Sequence, residues 1–183
     1  MVEFEIKDRD AAGRLGVLKT QHGRVTTPAL LPVINPNKLL IEPREMQKRF
    51  GAEVVITNSY IIYKKKDLKE KAVAEGVHSL IGFDGVIMTD SGTFQSYVYD
   101  DIDLDPFEIV DFQRNIGSDI GTVLDVFTTP DTDHQRATEQ MNITIERAKK
   151  SVRRKGEMLL ACTVQGGVFS DLRTKCAQQL SRL

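Results

Sequence analysis

The chain has 183 residues, 40% hydrophobic and 28% charged, enough for one domain with a buried core. Its net charge of −1 excludes a surface that grips nucleic acid by charge alone. The two cysteines, Cys162 and Cys176, exclude a disulfide framework or a cysteine metal cluster, and Cys162, set in an apolar run, reads as a buried, inert thiol. No stretch resembles a signal peptide or supplies the ~20 apolar residues of a membrane span. A soluble cytoplasmic protein without a membrane partner is therefore expected.

In chain order, FEIKD and GRLGVLKT read as antiparallel strands, and a His22-Gly23 turn leads into RVTTPALLPV. Pro28, Pro32 and Pro36 make that last segment an extended approach and argue against a helix. The pattern then becomes regular. PREMQKRFG is a short amphipathic helix closed by Gly51, EVVITNS a buried-type strand, KKKDLKEKAVAEG a helix and GVIMTD a strand. PFEIVDFQRNIG opens with Pro106 and stops at Gly117. SDIGTVLDV is a strand, and one long helix follows Pro130 and ends at Gly156. EMLLACTVQ is a strand, and SDLRTKCAQQLSRL starts a helix on a Ser-Asp cap. Apolar strands alternating with helices mean a parallel sheet with right-handed crossovers. The basic runs Lys64-Lys65-Lys66 and Arg147 to Lys155 read as solvated helix faces.

The stretch IMTDSGTFQ, residues 87–95, ends a hydrophobic strand on a carboxylate and bends at once. Two readings stand level there: an Asx-type turn, with Asp90 bonded to its own backbone, or a reacting group at the mouth of a pocket. The other strand ends tip the balance. The four parallel strands stop at Asn58, Asp90, Asp125 and Gln165, all able to hydrogen-bond. In a parallel barrel these positions share the rim where active sites are built, and in a doubly wound sheet they share an edge. The rim offers two carboxylates, an amide, the N–H groups of Gly166-Gly167 and the aromatic face of Phe94. His22, His78 and His134 fall in turns or at a helix start, which weakens a Ser-His or metal-hydrolase reading. A flat, polar ligand suits the set better: a carboxylate for two N–H donors of a guanine-like edge, an amide and a backbone N–H for a ring carbonyl, an aromatic for the face.

TDSGTFQ at 89–95, the strand-end Asp of DIGTVLDV at 119–126, and VQGG at 164–167 followed by DLR resemble the tRNA-guanine transglycosylases, as do TTPALLPV and ITNSY. DIGTVLDVFTTPD is more similar to the archaeal, archaeosine-forming branch than to the bacterial queuosine branch. The resemblance implies a (β/α)8 TIM-type barrel that exchanges a guanine in tRNA for a free 7-deazaguanine. In the archaeal branch the base is 7-cyano-7-deazaguanine and the nucleotide lies in the D-arm, at position fifteen. Carried over, Asp90 is the general acid/base, Phe94 stacks on the base and Ser91 lines the pocket. Asp125 binds the N1–H and amino edge, Gln165 and Gly166 approach the carbonyl side, and Gln95 and Asn58 lie near the ribose.

The chain also departs from the family. Only about four β/α units follow the antiparallel segment, so residues 1–183 are expected to be the N-terminal half of one catalytic barrel domain. The family's nucleophilic Asp, its Cys-x-Cys-x-x-Cys zinc site and its RNA-binding domains fall outside it. No cofactor is expected in this chain and no metal ligand is assigned. Half a barrel exposes two sheet edges that closure would remove. A truncated piece, a half completed by a second chain, or a self-paired dimer would each account for that. As an enzyme the chain would be a pentosyltransferase, inactive without its second half. The competing readings are a non-catalytic tRNA- or base-binding subunit, a queuosine-type exchange, and an unrelated small-molecule barrel enzyme.

Overall fold

The computed structural model describes residues 3–95 and 105–183. Three antiparallel strands come first: β1 (Glu3–Asp10), β2 (Gly13–Lys19) and β3 (Arg24–Thr27), in the order β1-β2-β3. A five-stranded parallel sheet follows, in the order β4-β5-β6-β7-β8. Its strands are β4 (Val33–Ile34), β5 (Val54–Asn58), β6 (Val86–Asp90), β7 (Ile120–Thr122) and β8 (Leu159–Ala161). The expectation of about four parallel units is therefore corrected to five strands. The Pro-rich approach ends in a short strand because Val33 and Ile34 pair in parallel with Ile56 and Thr57, flanked by the Ile56 N–H donating to the Pro32 carbonyl.

The helices are α1 (Pro43–Phe50), α2 (Ser59–Lys64), α3 (Lys66–Ile81), α4 (Pro106–Asn115), α5 (His134–Val152) and α6 (Ser170–Leu180). Their ends follow local chemistry. Pro43 opens α1 and Gly51, at φ 67°, closes it. Asp105 caps α4 through the Phe107 and Glu108 N–H groups, and Asp133 caps α5 through the Arg136 N–H. Gly76 breaks α3 where the sequence places a stop, at φ 84°, ψ 160°, but helix resumes and reaches Ile81 because the Val77 N–H finds the Ile116 carbonyl. The expected Ser-Asp cap of α6 is also corrected: Ser170 is already helical, and the capping position is Phe169, with no side-chain bond.

Strand alternation sorts the core. Val55 and Ile87 point toward the helices and are fully buried among Ile62, Val77, Phe83, Ile109 and Ile116. Val54 and Val86 point to the other face, where Val25 of β3 packs on them with Leu18, Leu31 and Ile120. The antiparallel sheet thus covers the N-terminal end of the parallel one, helped by Glu53, which accepts the Thr26 N–H at 2.7 Å. Burying an aliphatic side chain in such a cluster is worth roughly 1.5–3 kcal/mol.

The last two strands are shorter than their apolar runs. After Gly121 the Thr122 N–H and carbonyl both go to the amide of the fully buried Gln113, each at 2.9 Å, so the chain leaves the β6 ladder there, while on the β8 side the Val123 N–H still bonds the Ala161 carbonyl at 3.1 Å. Cys162 also departs from expectation. It is half-buried, just past β8, and Cys176 on α6 is the fully buried thiol.

Candidate active site

Asn58 and Asp90 end neighbouring strands in register, so both side chains project from the same face and the same rim. Asn58 is also the N-cap of α2, its Oδ1 accepting the Ile61 N–H at 3.0 Å. That bond fixes the amide, and its Nδ2 must face the other way. There it donates to Asp90 Oδ2 at 2.9 Å and to Gln95 Oε1 at 3.0 Å. The Ser59 hydroxyl holds the Asp90 carbonyl at 2.7 Å.

Asp90 reconciles the two readings of its stretch. The Gly92 N–H, two residues on, favours its charged form, as an Asx-type turn requires, whereas the Ser91 N–H is spent mainly on Thr122 Oγ1. Its pKa lies above the ordinary 3.8, chiefly because burial disfavours the charge and secondly because Asp125 stands nearby. Hydrogen bonds from Gly92, Ser91 and Asn58 oppose that rise without cancelling it. The tight bend needs Gly92: at φ 89° an added Cβ would sit 2.3 Å from the Tyr60 Cβ.

Ser91 is buried and turned into the scaffold. Its N–H donates to Thr122 Oγ1 at 2.6 Å and its hydroxyl to the Val123 carbonyl at 3.2 Å, which locks β6 to β7. Thr93, Phe94 and Gln95 are helical, and the Phe94 ring is 57% exposed, edge-on to Phe127 at 5.9 Å. An aromatic face so open is available for stacking.

Asp125 and Gln165 form the second half of the constellation. Both lie beyond their strands, in the β7–α5 and β8–α6 loops, which corrects the expectation that they end strands. Gln165 Nε2 donates to Asp125 Oδ2 in a short hydrogen bond. The backbone of Gln165 is anchored by its N–H on Cys176 Sγ at 3.3 Å. Gly166, at φ 136°, passes so close to α6 that an added Cβ would lie 2.7 Å from the Arg173 nitrogen. Two residues that sequence reasoning left out hold Asp125 in place. Arg147 donates to the Leu124 and Asp125 carbonyls at 2.9 and 3.3 Å, and Thr144 accepts the Val126 N–H at 3.0 Å. Arg147 departs from the solvated basic face expected of its run, and its inward turn has only one sequence signal, its place one helical turn after the buried Thr144.

The structure therefore brings Asn58, Asp90 and Gln95 into one hydrogen-bonded set and Asp125 with Gln165 into another. The two are linked by the Asp90–Asp125 proximity and by Thr93, whose hydroxyl reaches the Asp125 carbonyl at 3.5 Å.

At the opposite end of the strands is a cluster that the sequence does not announce. Asp119, just before β7, accepts His22 Nδ1 at 3.0 Å and His78 Nε2 at 3.1 Å, and the two rings stack at 3.8 Å. The ligand-type atoms of His22, His78 and Asp119 lie within 4.8 Å of one another, spacing that could hold a metal ion. Each Asp119 oxygen also accepts a backbone N–H, from His22 at 3.2 Å and from Ile87 at 3.0 Å. A carboxylate with both oxygens doubly occupied is built as a hydrogen-bonded clamp.

The chain is similar to known proteins along nearly its whole length. A family model described as queuine tRNA-ribosyltransferase matches residues 8–183. A tRNA-guanine(15) transglycosylase of Methanopyrus kandleri is 52% identical over 182 residues, covering 100% of this chain and 39% of the relative. Enzymes of the same description from Methanothermobacter thermautotrophicus and Pyrococcus furiosus are 52% and 48% identical, over 98% and 100% of this chain and 27% and 31% of their own lengths. With a rim of two carboxylates, an amide and an open aromatic, and relatives matching along its length, the chain belongs to the queuine tRNA-ribosyltransferase family, the tRNA-guanine transglycosylases.

Proposed function

We propose that this chain carries the base-handling side of a tRNA-guanine transglycosylase, exchanging a guanine at position 15 of the tRNA D-arm for 7-cyano-7-deazaguanine on the way to archaeosine. The observation that carries the proposal is the contrast within one rim between Asp90, whose proton affinity is raised, and Asp125, tied to Gln165. Two carboxylates in different environments can take different roles.

Asp125 is the recognition carboxylate. In the free protein it accepts an N–H from the Gln165 amide, and an entering guanine replaces that donor with its N1–H and amino edge. The released amide of Gln165, with the Gly166 N–H, then meets the ring carbonyl. Phe94, exposed beside the rim, covers the ring face. Asp90 is the general acid/base: its raised pKa lets it hold a proton for the departing base and take one from the incoming base. Asn58 and Gln95 set its orientation. Ser91, buried against β7, supports the pocket floor.

The exchange is a double displacement. A carboxylate attacks the ribose anomeric carbon and the bond to guanine breaks. The new base then displaces the carboxylate from the same face, as in the retaining glycosidases. The target nucleotide must leave its stack to reach the rim. We place the nucleophile outside this chain. The chain spans between 26% and 39% of the length of the curated relatives quoted above and of that from Methanosphaera stadtmanae, and among the described residues β4 and β8 have no outer partner strand. Val33 on β4 is 78% exposed. Further strands would pair with those edges, close the barrel and bring the second reacting group.

Radiolabelled guanine and tRNA, incubated with the chain alone and with the remaining segment of one relative, test this. Incorporation only in the mixture is expected. Incorporation by the chain alone would place the nucleophile within it, and none in either would remove the catalytic reading.

A further inference from the structure

We infer that His22, His78 and Asp119 form a binding site for a zinc-class divalent ion at the N-terminal end of the parallel sheet, with water as the fourth ligand. The inference stands apart from the transglycosylase reading and from the cysteine zinc site that the family resemblance puts outside this chain.

The donor set is the first argument. Two imidazoles and one carboxylate suit zinc and its first-row neighbours, whereas magnesium and calcium call for oxygen ligands alone. Among the described residues no other trio of His, Cys, Asp or Glu side chains gathers its ligand atoms within 4.8 Å. Around a four-coordinate zinc ion, with bonds of ~2.0–2.2 Å, the donor atoms stand about 3.4 Å apart. Here the carboxylate lies 3.0 Å from His22 Nδ1 and 3.1 Å from His78 Nε2, so a small outward shift of the rings admits an ion. Stacked at 3.8 Å, the two rings would repel as imidazolium ions, but as neutral ligands they can share one cation.

Support of the carboxylate is the second argument. The Asp119 side chain is fully buried, and its two oxygens take the His22 N–H at 3.2 Å and the Ile87 N–H at 3.0 Å. An entering ion displaces only the two ring N–H bonds, as each ring proton moves to the far nitrogen. Both backbone bonds stay, and they are the outer contacts that orient a ligating carboxylate. The clamp is thus the metal-free form of the site.

Access is the third. His22 is 39% exposed and lines an open cleft of about 350 Å³ with Arg24, Gln47, Glu53 and Asp84. Two carboxylates against one guanidinium favour a cation at that mouth, and water from the same side can take the open position. The ligands come from the turn after β2, the last turn of α3 and the entry of β7, so a bound ion would tie the antiparallel sheet to the parallel one.

The test is a titration of the chelator-treated protein with Co²⁺, read by visible absorption and reversed with Zn²⁺. One equivalent should bind with the bands of a four-coordinate nitrogen–oxygen site and no thiolate charge-transfer band. The urea midpoint should rise with zinc concentration. His22→Asn and His78→Gln each put an amide N–H where a ring nitrogen donates, keeping the bond to Asp119 but removing the ligand lone pair. Each should weaken cobalt at least about tenfold while its metal-free midpoint stays near that of the wild type. The half-exposed His22 carries the test by itself should His78→Gln fail to fold. A thiolate band would hand the ion to the cysteines, and unchanged affinity in the variants would put it elsewhere on the surface. No saturable binding below about 1 mM would leave the trio a clamp alone. Each of these three results would overturn the site.

Discussion

The two ends of the parallel sheet each carry an aspartate drawn out of solvent, and the two are pushed in opposite directions. At the C-terminal rim, Asp90 is raised above the ordinary carboxylate range by burial and by Asp125. At the N-terminal end, burial would raise Asp119 as well, yet bonds from His78, the Ile87 N–H, Thr20 and His22 outweigh it and hold the carboxyl far below that range. The difference lies in the donor count and in the neighbours. Asp119 has two imidazole nitrogens and two backbone N–H groups on its two oxygens. Asp90 has the Asn58 amide, only weaker help from the N–H groups of its own turn, and a second carboxylate close by. A fully served carboxylate is a structural tie, and an under-served one keeps a proton within reach of chemistry.

Exchanging the two roles by mutation gives the sharpest contrast. Asp90→Asn should lower base exchange by about 10²–10⁴-fold, the usual worth of general acid/base help, with folding intact. Steady-state incorporation by the mixture with the remaining segment, and a urea midpoint of the chain itself, check both halves of that statement. Asp119→Ala should do the reverse. It leaves two imidazoles and two N–H groups without their acceptor, which costs about 3 kcal/mol, the low end for breaking a buried pair because water reaches His22. The urea midpoint should fall while exchange per folded molecule holds.

The pH dependence of the clamp follows from its sign. Because Asp119 is depressed in the folded state, its stabilisation is complete above the ordinary value of 3.8 and is lost as pH falls below it. Midpoints measured across that window should converge for the wild type and Asp119→Ala at the acid end. The smallest effect is expected at Asn58. Asn58→Ser keeps an N-cap oxygen for the Ile61 N–H but removes the amide donor that holds Asp90 down, so the Asp90 pKa should rise further. The acid limb of the exchange profile should move to higher pH, with a rate change at neutral pH of less than about tenfold.

The rim was legible because it is written in the grammar of strand ends. Asn58 and Asp90 close apolar runs of alternating β/α units, and parallel register alone sets them side by side. Asp125 and Gln165 were found for a looser reason, since their apolar runs continue past the last ladder bond, and only Gln113, bonding the Thr122 backbone, shows where β7 stops. The fifth parallel strand was hidden because two residues among prolines carry no alternation to read. The clamp was invisible for another reason. His22, His78 and Asp119 are separated by dozens of residues with no motif between them, and their meeting depends on the turn after β2, the late turn of α3 and the entry of β7. Arg147 belongs to the same class, a basic residue whose partners are carbonyls that no sequence pattern advertises.

Division of labour between Asp125 and Asp90 is open to a direct measurement that needs no turnover. Isothermal titration of guanine into the wild type, Asp125→Asn and Asp90→Asn reads recognition apart from proton transfer. A bidentate carboxylate–base edge is worth about 1–3 kcal/mol, so Asp125→Asn should bind at least about fivefold more weakly. Asp90→Asn should stay within about twofold of the wild type, since proton transfer belongs to turnover and not to binding. Equal affinity in all three proteins, or a loss confined to Asp90→Asn, would contradict the assignment of the two carboxylates.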